Sequence, residues 1–75
     1  MIYYQKNSKI YYRLEEQSKT YLEIFLETDQ CRVMSVTGEA MYTDLQTRLT
    51  EHQFEQSDAT AFNQALTTAL GRLDS

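Results

Sequence analysis

Thr20-Tyr21-Leu22-Glu23-Ile24-Phe25-Leu26-Glu27 is the stretch on which the fold turns. Leu22, Ile24 and Leu26 occupy every second position, while Tyr21, Glu23, Phe25 and Glu27 fill the alternate ones. A period of two is the signature of a strand, because successive side chains point to opposite faces of a sheet. The reading predicts a strand over 20–27 whose Leu22/Ile24/Leu26 face lies in a core.

The residues before this stretch repeat the pattern. Ile2-Tyr3-Tyr4 recurs as Ile10-Tyr11-Tyr12, and five of the six tyrosines lie at positions 3, 4, 11, 12 and 21. A short strand near 2–5 and a second over 9–15 follow, with Ile10, Tyr12 and Leu14 on one face and Tyr11, Arg13 and Glu15 on the other. A two-residue turn at Asn7-Ser8 pairs Tyr4 with Tyr11 and Ile2 with Arg13. A three-residue turn through Lys6, Asn7 and Ser8 pairs Ile2 with Tyr12 and Tyr4 with Ile10. Directly opposed residues share a face, so the second register gathers Ile2, Tyr4, Ile10, Tyr12 and Leu14 with Leu22, Ile24 and Leu26. It is the register expected here.

After a turn at Asp29-Gln30, a fourth strand is expected over 31–36, where Cys31 and Val33 compete with Met34 and Val36 for the inner face. Near the C-terminus the period changes. Ala59, Phe62, Ala65, Leu66, Ala69, Leu70 and Leu73 recur at steps of three and four, one apolar stripe on a helix over 57–74. Ser57 is its expected N-cap, with Asp58 complementing the positive helix end. Residues 38–56 read ambiguously: Met41 or Tyr42, Leu45 and Leu49 fit a short helix, whereas Thr50, His52 and Phe54 alternate as in a strand. The balance tips slightly toward more strand. The expected fold is a single α+β domain over 1–75, a four- to five-stranded antiparallel meander (1–37 at least) with the C-terminal helix across one face. That helix should meet Ile10, Tyr12, Leu14, Leu22, Ile24 and Leu26.

Composition narrows the chemistry. The 75 residues include one cysteine, one histidine, two glycines and no proline. An intramolecular disulfide is impossible, a structural zinc site lacks its ligands, and no Gly-rich phosphate loop can be assembled from Gly38 and Gly71. So small a domain often draws stability from a partner. The net charge is −4, yet Lys6, Lys9, Arg13 and Lys19 against Glu15 and Glu16 leave residues 1–20 at +2. The sequence shows no secretory leader or apolar run of membrane-spanning length, so a cytoplasmic location is expected.

No catalytic constellation emerges. His52 can be drawn beside Ser57 or Asp44, but a surface histidine is the simpler reading. Cys31 has one neighbouring cation, Arg32, and otherwise resembles a small apolar side chain. Glu23 and Glu27, four strand residues apart, stand about 13 Å from each other, too far for paired-carboxylate chemistry. A non-enzymatic role without cofactor or metal is expected.

What remains is the outward sheet face, where Tyr3, Tyr11, Arg13, Tyr21 and Phe25 are expected to lie together, with Glu15, Glu23 and Glu27 among them. Aromatic rings mixed with arginine favour a protein interface. The expected function is an intracellular interaction module that self-associates or binds another protein through that face. One alternative is an acidic inhibitor or immunity-like protein meeting a basic target through residues such as Glu51 and Glu55. The other is a single-stranded nucleic-acid binder that stacks bases on the same rings and places phosphates on Lys6, Lys9, Arg13 and Lys19.

Overall fold

The computed structural model describes residues 1–74. Four strands, β1 (Ile2–Lys6), β2 (Ile10–Glu15), β3 (Thr20–Leu26) and β4 (Cys31–Thr37), form an antiparallel meander. Helix α1 (Glu39–Glu51), a two-residue strand β5 (Glu55–Gln56) and helix α2 (Ala59–Leu73) follow. The sheet order is β4-β3-β2-β1-β5, so β5 returns the chain to the edge opposite β4. The fold is α+β, with the C-terminal helix packed against a five-stranded antiparallel sheet.

The two helices lie on opposite faces. Tyr42, Leu45 and Leu49 of α1 pack with Tyr12, Leu14 and Tyr21, flanked by Tyr4, Ile10 and Val36. Phe62, Ala65 and Ala69 of α2 pack with Ile24, flanked by Tyr3, Tyr11, Leu22, Leu26 and Val33. Alternate residues of each strand therefore serve two separate cores. Fully burying side chains the size of Ile24, Phe62 or Leu14 contributes about 1.5–3 kcal/mol each. Alanines at 65 and 69 let the α2 backbone approach the sheet closely.

This arrangement corrects three expectations. Residues 39–51 form a full helix rather than additional strand, because Tyr42, Leu45 and Leu49 repeat at the helical period and bury completely. The register also differs. Asn7 and Ser8 both adopt left-handed φ values, 57° and 54°, and the Lys9 N–H donates to the Lys6 carbonyl at 3.1 Å, the mark of a type I′ turn. The paired ends are Lys6 and Ile10, so Ile2 faces Leu14 and Tyr4 faces Tyr12. The expected face is kept, shifted by two residues.

The third correction is larger. Arg13 lies opposite Leu22 and Tyr11 opposite Ile24, so Leu22, Ile24 and Leu26 face α2 while Ile10, Tyr12 and Leu14 face α1. The parity argument assumed one buried face; a sheet covered on both sides lets neighbouring strands send their most apolar sets in opposite directions. The same reason resolves β4, where Cys31 and Val33 flank the α2 core and Val36 the α1 core.

Helix ends follow local chemistry. Asp58, not Ser57, caps α2, its Oδ1 accepting from the Ala61 N–H at 2.8 Å. Ser57 instead continues the β5 contact, donating its N–H to the Tyr3 carbonyl at 2.8 Å. Gly38, with φ 145°, makes the bend from β4 into α1 that residues with a Cβ rarely adopt. At the other end, Phe54 N–H reaches the Leu49 carbonyl and Gln53 N–H the Thr50 carbonyl, with Gln53 left-handed at φ 56°. These are the paired bonds of a Schellman motif, and Phe54 packs on the core containing Leu49.

Candidate functional site

The structure divides the expected tyrosine face. Tyr3, Tyr11 and Arg13 stand on the α2 side, where the Tyr3 ring lies 5.6 Å from Phe62 and the Arg13 guanidinium 5.3 Å above the same ring. Tyr21 is buried on the α1 side, 5.9 Å from Tyr12, and Phe25 shares that side beneath the Arg32 guanidinium at 5.3 Å. None of the five is fully exposed. Two helices cover what the alternation left open, and the five residues do not share one face.

The basic N-terminal residues are likewise dispersed. Lys6 lies over Phe54 at 5.6 Å and Lys19 over Tyr42 at 5.2 Å, while Lys9 approaches Glu27 at 3.7 Å. Glu51 and Glu55 are exposed, and Glu55 accepts from the Gln5 amide at 2.7 Å.

Glu23 carries a buried polar network. With 8% of its surface exposed, it accepts the Tyr12 hydroxyl at 2.6 Å through one oxygen. Its other oxygen accepts from Arg32 Nε at 3.1 Å and from a terminal guanidinium nitrogen at 2.7 Å. Both oxygens are thus satisfied, which is what makes a buried carboxylate tolerable. Burial first and the Glu23 hydrogen bond second push the Tyr12 hydroxyl well above its ordinary pKa. Tyr42, 1% exposed, has a hydroxyl with no hydrogen-bond partner among the described residues, and its pKa is also raised, chiefly by burial.

His52 is exposed and supplies the C-cap of α1. Cys31 is half-buried, its thiol 3.6 Å from the Ala69 carbonyl. Among the described residues, no group of three or more His, Cys, Asp or Glu side chains is arranged to hold a metal ion. No described helix is long and apolar enough to cross a membrane.

The outer edge of β4 is one of the two ends of the sheet. Its hydrogen-bonding direction follows from the ladder with β3. Glu27 N–H donates to the Gln30 carbonyl and Gly38 N–H to the Lys19 carbonyl, which fixes 27/30 and 19/38 as hydrogen-bonded pairs. Antiparallel pairs alternate, so Arg32, Met34 and Val36 bond to β3. Cys31, Val33, Ser35 and Thr37 therefore turn their N–H and C=O groups away from the sheet.

That edge lacks the usual protections. It spans seven residues, contains no proline or lysine, and bears one charge, Arg32, held by Glu23. Ser35 and Met34 are exposed, Met34 by 40%. The opposite edge, β5, has only two residues and begins with Glu55. The sequence did carry a signal here, since Cys31-Arg32-Val33-Met34-Ser35-Val36-Thr37 is strand-forming and poorly guarded. It became visible as an edge only once the strand order was known.

Comparison with known proteins adds nothing to this picture: no family model, curated protein or solved structure matches the chain.

Proposed function

We propose that the protein is a small non-catalytic interaction module that self-associates, and that β4 rather than the tyrosine cluster is the surface it uses. The observation that carries this reading is the row of outward backbone groups on Cys31, Val33, Ser35 and Thr37. An open strand edge of this kind is a template for a further strand.

A second copy is the occupant that matches the edge itself. In an antiparallel pairing about a two-fold axis at Met34, Cys31 faces Thr37 of the other copy and Val33 faces Ser35. This register uses the outward groups of all four residues on each strand. Met34 meets its own counterpart on the axis, and Arg32 faces Val36, so no like charges oppose each other within the paired strands. The result is one continuous sheet with the α1 helices on one face and the α2 helices on the other. Because each copy carries a net charge of −4, added salt should tighten the pairing by screening long-range repulsion.

Sedimentation equilibrium over a range of concentrations tests the proposal with two variants. Ser35→Pro removes an outward N–H from an exposed position without touching the β3 ladder, so it should give a folded monomer. Met34→Cys in a Cys31→Ser background should form an intermolecular disulfide, since non-hydrogen-bonded partners stand about 4.5 Å apart between Cα atoms. Cys31 of the wild type, opposite Thr37 in this register, should not. A wild type that stays monomeric, or a Ser35→Pro variant that still associates, would overturn the proposal.

A further inference from the structure

Beside α1, at the hairpin between β1 and β2, lies a half-open pocket of about 300 Å³. Ile10, Leu45, Leu49 and Phe54 form its apolar walls, and three basic side chains, Lys6, Arg48 and His52, reach its lining. In a chain of net charge −4, this gathers two of the seven Lys and Arg residues and the single histidine at one small cavity.

The charges are not equally available. Arg48 Nε lies 3.2 Å from Asp44 Oδ2, an i,i+4 pair that offsets its charge. Lys6 rests over the Phe54 ring at 5.6 Å, and among the described residues no carboxylate pairs with it. The Tyr12 hydroxyl on the pocket wall is committed to Glu23. In the last turn of α1, three carbonyls that would otherwise repel an anion, those of Arg48, Leu49 and Thr50, accept from the His52, Phe54 and Gln53 N–H groups. The lining therefore offers roughly one uncompensated positive charge above an apolar floor. That balance suits a monoanion better than a phosphate dianion, and the volume suits a ligand of modest size.

We propose that this pocket binds a small monocarboxylic acid with an apolar body, its carboxylate at Lys6 and its hydrocarbon part against Ile10, Leu45, Leu49 and Phe54. Arg48 and His52 donate further hydrogen bonds at the mouth. The site is separate from β4, at the far side of the sheet order, so it stands or falls independently of self-association.

The test is an NMR titration of the amide resonances with 4-phenylbutyrate and with its uncharged twin, 4-phenylbutanamide. For a ligand of this size, the acid should bind with a dissociation constant of about 0.1–1 mM and the amide roughly tenfold more weakly. The shifted resonances should centre on residues 6–10 and 45–54. Lys6→Gln, at a surface-reaching side chain, should weaken the acid by about five- to tenfold and leave the amide unchanged. Equal affinity for acid and amide would overturn the proposal, as would an acid affinity unmoved by Lys6→Gln. So would the absence of shifts around the pocket at about 5 mM ligand.

Discussion

Removing the Tyr12 hydroxyl should make the stability of this domain less sensitive to alkali. Tyr12 donates to Glu23 at 2.6 Å, and burial together with that bond raises its folded-state pKa well above the ordinary tyrosine value. A raised folded-state pKa means that the native state keeps its proton after the unfolded chain has lost it. The contribution is complete below about pH 10, the unfolded value, and drains away as pH rises toward the folded value. At about pH 11 an unfolded tyrosine is nine-tenths ionised, which costs about 1.4 kcal/mol for each hydroxyl that stays protonated in the fold. Tyr42, raised in the same direction, adds to the loss. Against a total of about 4–11 kcal/mol for a domain of this length, that is a large share.

Tyr12→Phe separates this effect from general alkaline damage. Near pH 8 the variant should be less stable by about 1.5–3 kcal/mol, the usual loss for a hydrogen bond to a charged group. By about pH 11 the deficit should shrink by about 1.4 kcal/mol, because the variant has one fewer proton to retain. Urea unfolding followed by circular dichroism, at fixed protein concentration across that range, reads the difference directly. A gap between wild type and Tyr12→Phe that stays constant from pH 8 to pH 11 would refute the linkage argument.

Two further substitutions test the helix ends. Gln53→Gly should stabilise the fold by about 0.5–1 kcal/mol, because the C′ position of α1 holds a left-handed φ of 56° that glycine adopts without strain; an unchanged or lower midpoint in thermal unfolding would count against it. Asp58→Ala should cost about 1 kcal/mol by leaving the Ala61 N–H without its cap, measured by the same melt, whereas Ser57→Ala should cost much less.

How far the sequence spoke for the fold depended on how many surfaces each element had to satisfy. The middle of the α2 stripe, Phe62, Ala65, Leu66 and Ala69, faces one core as the period implied, but its ends do not: Ala59, Leu70 and Leu73 are exposed, Leu70 and Leu73 by 52% each, because the helix runs past the sheet it covers. Strand positions were readable too, because alternation survives whichever face is buried. Face assignment was not. In β3, Tyr21 and Ile24 are both buried on opposite sides, so the alternation of Leu22, Ile24 and Leu26 identified one core and concealed the other. Helix α1 was obscured by its threonines, which favour strands in isolation. Thr47 and Thr50 fit the helix by donating their hydroxyls to the carbonyls of Thr43 and Gln46. The tyrosine cluster reads as one surface only if one sheet face is bare, and α1 and α2 cover both. Neither the β4 edge nor the pocket at Lys6 could be located before strand order and helix placement were fixed.

Chain order gives the two-sided sheet a temporal asymmetry. During synthesis the meander and α1 can be complete before any of α2 has emerged, since α2 begins at Ala59. At that moment the α1 core is closed, but Leu22, Ile24, Leu26 and Val33 still face water. The nascent domain thus passes through a stage with one finished side and one bare apolar side, next to an unguarded strand edge. Exposed apolar surface beside an unpaired strand edge is what makes a folding intermediate prone to stick to its neighbours, and α2 is the element that ends that exposure.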